Sequence, residues 1–542
     1  MPAHRLAKAE EFSARSLRLS SKTALQIALV ATIGIAYSWI AADGRLHWDE
    51  PAYLYAAAYL DLPEILEGEF QPTGIPSFST SRLFHVLFAH GIFELFGVGK
   101  HAFNVLVGCY LSALMAALWL SHATVRALLP VQRLPLLGAV VMALFSPIFL
   151  WLSFKTMPEI PALLFATLSS YAFLRALQGR SVLWLTAAVL SMAMIAWTKN
   201  TLAFLPASLM LSLLLTGYGC RVSDVLRYSV AAGLLSLTVF VLMTFALDVS
   251  LSDYFSSFST VVSENSPAIA KIAFSALEAG ALWIFVPLAL LNHRRKAVAF
   301  FLIWLLVATA PLLVLVRDIE PRYLLSNFIP LLGLIALSLE ALIERMRIRK
   351  RRYALWVKLG AGAFVGCLII SSALAQRIIG HEVEIPRIAE AIDALDSRFG
   401  NRQFSLLTPW DYTDFHYLRV MYPQYPVFSV RELGKLEDEV WNKVKQKAFY
   451  GHRFVRTLDE LKTLQRPLVY FGFMENLAVA NLREMVAELP VDVLKRKLAS
   501  SIEQKVEHIP FQDSWIWNDS RVTFVDLFFS GHYRAALVKI VG

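Results

Sequence analysis

The sequence predicts a polytopic α-helical membrane protein that ends in a smaller α/β domain. Three observations carry that prediction. Of 542 residues, 57% are hydrophobic and only 17% charged, where soluble domains have about half and about a quarter. The apolar residues gather in runs close to the ~20 residues that a helix needs to cross a ~30 Å hydrocarbon core. After about residue 376 that pattern stops: charges become frequent and turn residues separate short apolar runs.

Taken in order, residues 1–22 are polar and basic and read as a cytoplasmic N-terminal segment. The apolar run over 23–42 follows. A cleavable signal peptide competes for this run, but the basic segment before it is long, and the later runs need it for their orientation. Further spans are expected over 102–121, 134–152, 160–175, 182–197, 201–217, 228–248, 279–291, 297–316, 322–340 and 355–375, about 11 in all, within a transmembrane domain of residues 23–375. A long loop, 43–101, separates the first two. In it, 51–66 has helix-like apolar spacing, 71–81 is rich in turn residues, and 82–96 is apolar but contains His85, His90 and Glu94. The last stretch reads as an interfacial amphipathic helix; as a further span it would invert every later loop. The segment 376–542 is expected to form a small α/β domain, with strands over 404–407, 427–430 and 467–471 and helices over 388–399, 436–449 and 458–464.

Charge sets the orientation. With the N-terminus inside, successive inner loops hold Arg126 and Arg133, Arg175 and Arg180, Arg221 and Arg227, Arg294 to Lys296, and the basic cluster Arg345 to Arg352. Outer turns carry isolated cations: Lys155, Lys199, Lys271, Arg317 and Arg322. This is the positive-inside asymmetry, and it puts both loop 43–101 and the C-terminal segment outside. The formal charge of +9 is thereby accounted for by membrane topology, and nucleic acid is not an expected partner. The three cysteines, Cys109, Cys220 and Cys367, have no metal-ligand spacing and staple nothing in the C-terminal segment.

Polar residues with chemical potential cluster at the predicted outer ends of the spans. Asp49 and Glu50 follow the first span in Trp48-Asp49-Glu50-Pro51. Adjacent side chains diverge, so they are not a coupled dyad: Asp49 is the candidate general base, and Glu50 shapes the loop or binds an acceptor. Solvated loop carboxylates are the plain alternative. Glu159, in Lys155-Thr156-Met157-Pro158-Glu159, starts an apolar run, where a carboxylate needs solvent, a partner or a polar cavity. An acid favoured at a helix N-terminus is the bland account. Lys155 is its possible partner or a contact for an anionic group. Lys199 stands alone between two apolar runs and is a candidate phosphate contact. Arg322 can offer a bidentate guanidinium, with Asp318 and Glu320 as rival partners. His47 and Arg82 are weaker candidates to line the same site, and His85 and His90 read as residues of the interfacial helix and nothing more.

Over residues 20 to 345 these strings resemble the GT-C glycosyltransferase superfamily, in the branch of aminoarabinose transferases and protein O-mannosyltransferases. Asp49, Glu50 and Tyr53 match a first-loop pattern, with Ala52 where an arginine is expected. Leu95-Phe96-Gly97 matches the end of an interfacial helix, with Arg82 standing in for a basic residue before it. Met157-Pro158-Glu159 is similar to Met-Pro-Asp, Thr198-Lys199-Asn200 to Thr-Lys-Gly, and Arg322-Tyr323-Leu324-Leu325 to Arg-Tyr-Leu-Leu-Pro. The resemblance implies an inverting, GT-C type membrane enzyme with its site on the periplasmic or luminal side; few lysines, no outer disulfides and a short N-terminus fit a bacterial inner membrane better than an endoplasmic reticulum. Such an enzyme would move a monosaccharide from a polyprenyl-phosphate carrier to a lipid A, glycan or protein hydroxyl on the periplasmic side. The resemblance assigns Asp49, Glu50 and Glu159 to catalysis and Lys199, Arg322, Tyr53, Arg82 and Lys155 to the donor phosphate. No metal and no cofactor besides the lipid-linked sugar are expected. A transporter or flippase of a lipid-linked sugar, or a non-catalytic envelope assembly protein, are the competing readings.

Overall fold

The computed structural model describes residues 45–47, 50–60, 62–67, 82–129, 133–144, 146–249, 279–315, 325–348, 382–400, 402–408, 412–429, 453–454, 458–464, 466–473, 520–530 and 533–540. The expected first span, the run over 355–375, the helix over 436–449, and the candidates Asp49 and Arg322 lie outside these residues.

The chain enters through a short strand, β1 (Arg45–His47), and three helices: α1 (Glu50–Tyr59), α2 (Leu62–Glu67) and α3 (Leu83–Phe96). Pro51 sits in the first turn of α1, where its missing N–H removes no helical bond. At 14 residues, α3 is about 21 Å long, too short to cross a bilayer core.

A helical bundle follows: α4 (Lys100–Leu128), α5 (Arg133–Leu144), α6 (Pro147–Leu152), α7 (Glu159–Gly179), α8 (Val182–Thr198), α9 (Phe204–Thr216) and α10 (Val222–Ala246). Then come α11 (Phe285–Ala289), α12 (Arg295–Leu315) and α13 (Phe328–Ile348). Among the described residues, four helical stretches are long and apolar enough to cross a membrane: Lys100–Leu128, Glu159–Gly179, Val222–Ala246 and Leu325–Arg345.

The run expected as one span over 134–152 is two helices. Pro147 lacks an N–H and disfavours helical backbone before it, and Ser146 is extended (φ −69°, ψ 148°). A 3-10 turn, Asn200–Ala203, begins the segment expected over 201–217, and another, Gly280–Ile284, precedes the five-residue α11.

Small and hydroxylated residues let the helices approach closely. Ser169 donates to the Ala188 carbonyl across α7 and α8 at 3.2 Å, Ser236 of α10 to Val189 at 3.2 Å, and Ser338 of α13 to Phe285 at 2.6 Å. In a low-dielectric interior such bonds act as glue between apolar faces. Trp304 of α12, fully buried, donates to the Ser208 hydroxyl of α9 at 2.9 Å.

The C-terminal residues form β2 (Glu382–Glu384), α14 (Ile385–Phe399), β3 (Ser405–Thr408), α15 (Tyr412–Met421), β4 (Val427–Ser429), β5 (Arg453–Phe454), α16 (Leu458–Thr463), β6 (Leu468–Phe473), β7 (Val522–Ser530) and β8 (Tyr533–Ile540). Their sheet has the order β5-β4-β3-β6-β8-β7. Strands β3 to β6 run parallel, as helical crossovers require, and β8 and β7 add an antiparallel edge. The three expected strands are present. The sequence reading did not find α15 or the β7–β8 hairpin.

Strand β2 does not join this sheet. It pairs antiparallel with β1, in the register Arg45↔Glu384, Leu46↔Val383 and His47↔Glu382.

Candidate active site

Helix α1 presents its first residue, Glu50, to the turn between α6 and α7. Glu50 is fully buried, and one carboxylate oxygen accepts both the Thr156 backbone N–H and the Thr156 hydroxyl, the latter at 2.9 Å. A buried carboxylate requires such donors. Its neighbour on the turn, Lys155, is only 3% exposed, with its ammonium 5.5 Å from the Trp151 ring centroid.

Three residues on, Glu159 opens α7 behind Pro158. It forms an ion pair with Lys199, Nζ to Oε1 2.9 Å, with side-chain exposures of 1% and 4%. Lys199 is placed there because α8 ends at Thr198 and Lys199 itself is extended, with φ −164°. The two strings at opposite ends of the α7–α8 hairpin thus meet at one face of the bundle.

Helix α3 closes another side. Arg82, just before it, lies 5.4 Å over the Tyr53 ring of α1, and both are buried. Tyr53 meets His85 edge to face at 5.1 Å. His85 shares a hydrogen bond with the Tyr110 hydroxyl of α4. Burial pushes the His85 imidazole down to about 3, with Glu159 pulling it up and Arg82 pushing it down further; the ring is therefore neutral near pH 7.

Glu50, Tyr53, Arg82, Lys155, Glu159 and Lys199 are thus drawn from α1, α3, the α6–α7 turn, α7 and the end of α8. His85 was expected to be an ordinary residue of the interfacial helix. It is instead packed between Tyr53 and Tyr110 and in the field of Glu159 and Arg82. His90 does the structural work of tying α3 to α1, through Nδ1 and the Ala57 carbonyl at 2.9 Å. Thr156 and Tyr110 were missed. Thr156 lies inside the Lys155–Glu159 string; Tyr110 had no local signal beyond a phenol in an apolar run.

Beside the cluster, α6 and α13 wall an apolar pocket. It is lined by Ala143, Ile148, Leu282, Leu331 and Ile335 with Ser146 and Asn327, and its enclosed volume is about 30 Å³, room for one water. Phe149 of α6 packs on Phe328 of α13 at 4.4 Å next to it. Among the described residues no three His, Cys, Asp or Glu side chains converge as metal ligands would.

Residues 83–244 match the family model for dolichyl-phosphate-mannose-protein mannosyltransferase. No curated protein sequence matches the chain. The fold is similar to that of ArnT from Cupriavidus metallidurans in the apo state, with 13% identity, a TM-score of 0.55, and coverage of 95% of this chain and 98% of that one. It is also similar to the same protein bound to undecaprenyl phosphate, with 13% identity, a TM-score of 0.52, and coverage of 94% and 97%. In fold over nearly its whole length, and in sequence over residues 83–244, the chain resembles the GT-C glycosyltransferases of the ArnT and protein-mannosyltransferase branch.

Proposed function

We propose that the chain is an inverting glycosyltransferase that moves a monosaccharide from a polyprenyl-phosphate carrier to a hydroxyl of an envelope acceptor on the periplasmic side. The observation that carries this reading is the meeting of Lys155, Lys199 and Arg82, all 7% exposed or less, with Glu50 and Glu159 at one face of an apolar bundle. Such a face suits a substrate with an anionic head and a hydrocarbon tail. The match to a family that uses dolichyl-phosphate mannose and a fold shared with a protein that binds undecaprenyl phosphate support the same donor class.

The reaction asks three things of the chain. A base must take the acceptor proton as its oxygen attacks the anomeric carbon. The C–O bond to phosphate then breaks on the opposite face, and the electron pair leaves with the phosphate, whose growing charge needs cations. The carrier chain needs an apolar bed. Asp49, between β1 and α1, takes the base role. Lys199, held beside Glu159, contacts a phosphate oxygen. Lys155, Arg82 and Arg322 complete the cationic set, with Tyr53 supporting Arg82. Glu159 holds Lys199 in place, and Glu50 fixes the loop to the α6–α7 turn.

Purified protein in bilayers, given labelled monosaccharides on a panel of polyprenyl phosphates and an envelope extract as acceptor, tests the reading. Label is expected to move from one donor into one product, and Asp49→Asn is expected to lower the rate by about 10²-fold or more, the scale of a lost general base. Undiminished transfer by Asp49→Asn removes the base assignment. Absence of transfer by folded wild-type protein across the panel removes the donor class.

A further inference from the structure

Both flanks of the segment that carries Asp49 are held by one distant stretch of chain. On the N-terminal side, β1 ends at His47 and pairs along its whole length with β2. On the C-terminal side, α1 begins at Glu50 and packs against α15. Tyr55 of α1 stacks on His416 of α15, with centroids 4.4 Å apart and planes at 25°, and both are at least 98% buried. One turn on, the Tyr59 hydroxyl donates to the Arg419 carbonyl at 2.7 Å across 360 residues of sequence, and the Arg419 guanidinium lies 5.0 Å over the Tyr59 ring.

None of these contacts belongs to the cationic face. Tyr55, Tyr59, His416 and Arg419 form their own group between α1 and α15. Nor are they what α1 needs to stay attached, because Glu50 ties it to Thr156, and His90 ties it to α3. What they add is restraint on the ends of the segment 48–49.

We infer that β2 and α15 are a positioning clamp for the loop that bears the catalytic base, with Tyr55, Tyr59 and His416 as positioning residues. The inference rests on the reading of Asp49 as that base. Inverting attack requires the acceptor oxygen, the anomeric carbon and the leaving phosphate oxygen to be in line, with the base within hydrogen-bond reach of the acceptor hydroxyl, and displacement by about 1 Å can cost about 10²-fold in rate. A three-residue strand pair is weak alone. An aromatic stack and a buried hydrogen bond one turn apart fix the position and rotation of α1, and hence the direction in which its N-terminus leaves towards β1.

The test uses the full chain in bilayers with three variants: His416→Ala with Tyr59→Phe, which removes the stack and the hydroxyl bond; His416→Phe alone, which keeps an aromatic face; and Asp49→Asn. Turnover, donor KM, thermal unfolding and amide exchange over residues 45–59 are read for each. The clamp predicts that the double variant loses about 10- to 100-fold in kcat with donor KM within about twofold. It further predicts an unfolding midpoint that stays well above the assay temperature, faster exchange confined to 45–59, and near wild-type kcat for His416→Phe. Wild-type turnover in the double variant overturns it. So does a loss of turnover that tracks a lowered unfolding midpoint, in the double variant or, if that does not fold, in Tyr59→Phe alone. Failure of the base assignment is separate: it appears as active Asp49→Asn.

Discussion

Lys199 and Glu159 form their ion pair with both side chains almost wholly removed from water. Burying two charges costs several kcal/mol each before their attraction is counted, and breaking a buried pair by removing one partner costs about 3–5 kcal/mol. Lys199→Met and Glu159→Gln are each expected to lower stability on that scale. The double variant is expected to recover most of it, because a neutral pair of similar size has no stranded charge. Chemical denaturation in detergent measures the recovery, and donor binding by the same samples gives the second reading. If Lys199 contacts phosphate, the double variant regains stability but not affinity. If Lys199 is there only to neutralise Glu159, both return together. At this scale the sequence was informative where charges break an apolar run, which is why Lys155, Glu159 and Lys199 could be named from their strings. It was silent on His85, Tyr110 and Thr156, because a histidine on an apolar helix looks the same whether it faces lipid, a hydroxyl or a carboxylate. Only the tertiary packing of α3 on α1 and α4 decides that.

Helices were readable in proportion to how far their stability is local. The runs behind α4, α7, α8 and α10 are long and apolar; α7 and α8 match their expected spans closely, whereas α4 continues to Leu128, past the expected end at 121, and α10 begins at Val222, before the expected start at 228. Boundaries failed where one residue overrides the pattern, as Pro147 does between α5 and α6. Strands β1 and β2 could not be read at all: three residues have no period to detect, and the partners lie at opposite ends of the chain. Helix α15 is more polar and short, so its helicity depends on packing against α1. Packing within the bundle makes its own demand at Gly333. The Phe301 ring of α12 lies so close to the α13 backbone that a Cβ at Gly333 would collide with its Cε1 and Cδ1. Phe301 is fully buried and cannot swing into solvent. Gly333→Ala is therefore expected to destabilise the bundle by about 1–3 kcal/mol, the usual cost of overpacking, despite alanine's higher helix propensity. Gly333→Ala paired with Phe301→Leu is expected to recover part of the loss. A neutral Gly333→Ala in a thermal unfolding series would show that α12 and α13 can separate freely at that level.

For the whole molecule, the β1–β2 ladder and the α1–α15 interface fix something that hydropathy alone leaves open. Strands that share hydrogen bonds lie in one compartment, so loop 43–101 and the residues from 382 onward are on the same side of any membrane the bundle crosses. The number of crossings between them must then be even. Ten spans are expected from the sequence between residues 102 and 375, an even number, and the expected run over 23–42 would make the total odd. The N-terminus and the C-terminal sheet then fall on opposite sides. Which side is which follows from charge: the turns holding Arg221 with Arg227 and Arg294 to Lys296 should be cytoplasmic. Single cysteines at exposed sites in a background without Cys109, Cys220 and Cys367 decide it. In intact spheroplasts an impermeant maleimide is expected to label Glu94→Cys in α3 and Lys462→Cys in α16, and to spare Ser223→Cys at the start of α10 until the membrane is opened. Labelling of Glu94→Cys without Lys462→Cys would be incompatible with the β1–β2 pairing, since no even set of crossings separates them. Labelling of Ser223→Cys alone would leave the parity intact and invert the orientation. The cationic face would then lie on the cytoplasmic side, and any lipid-linked donor would have to be presented there.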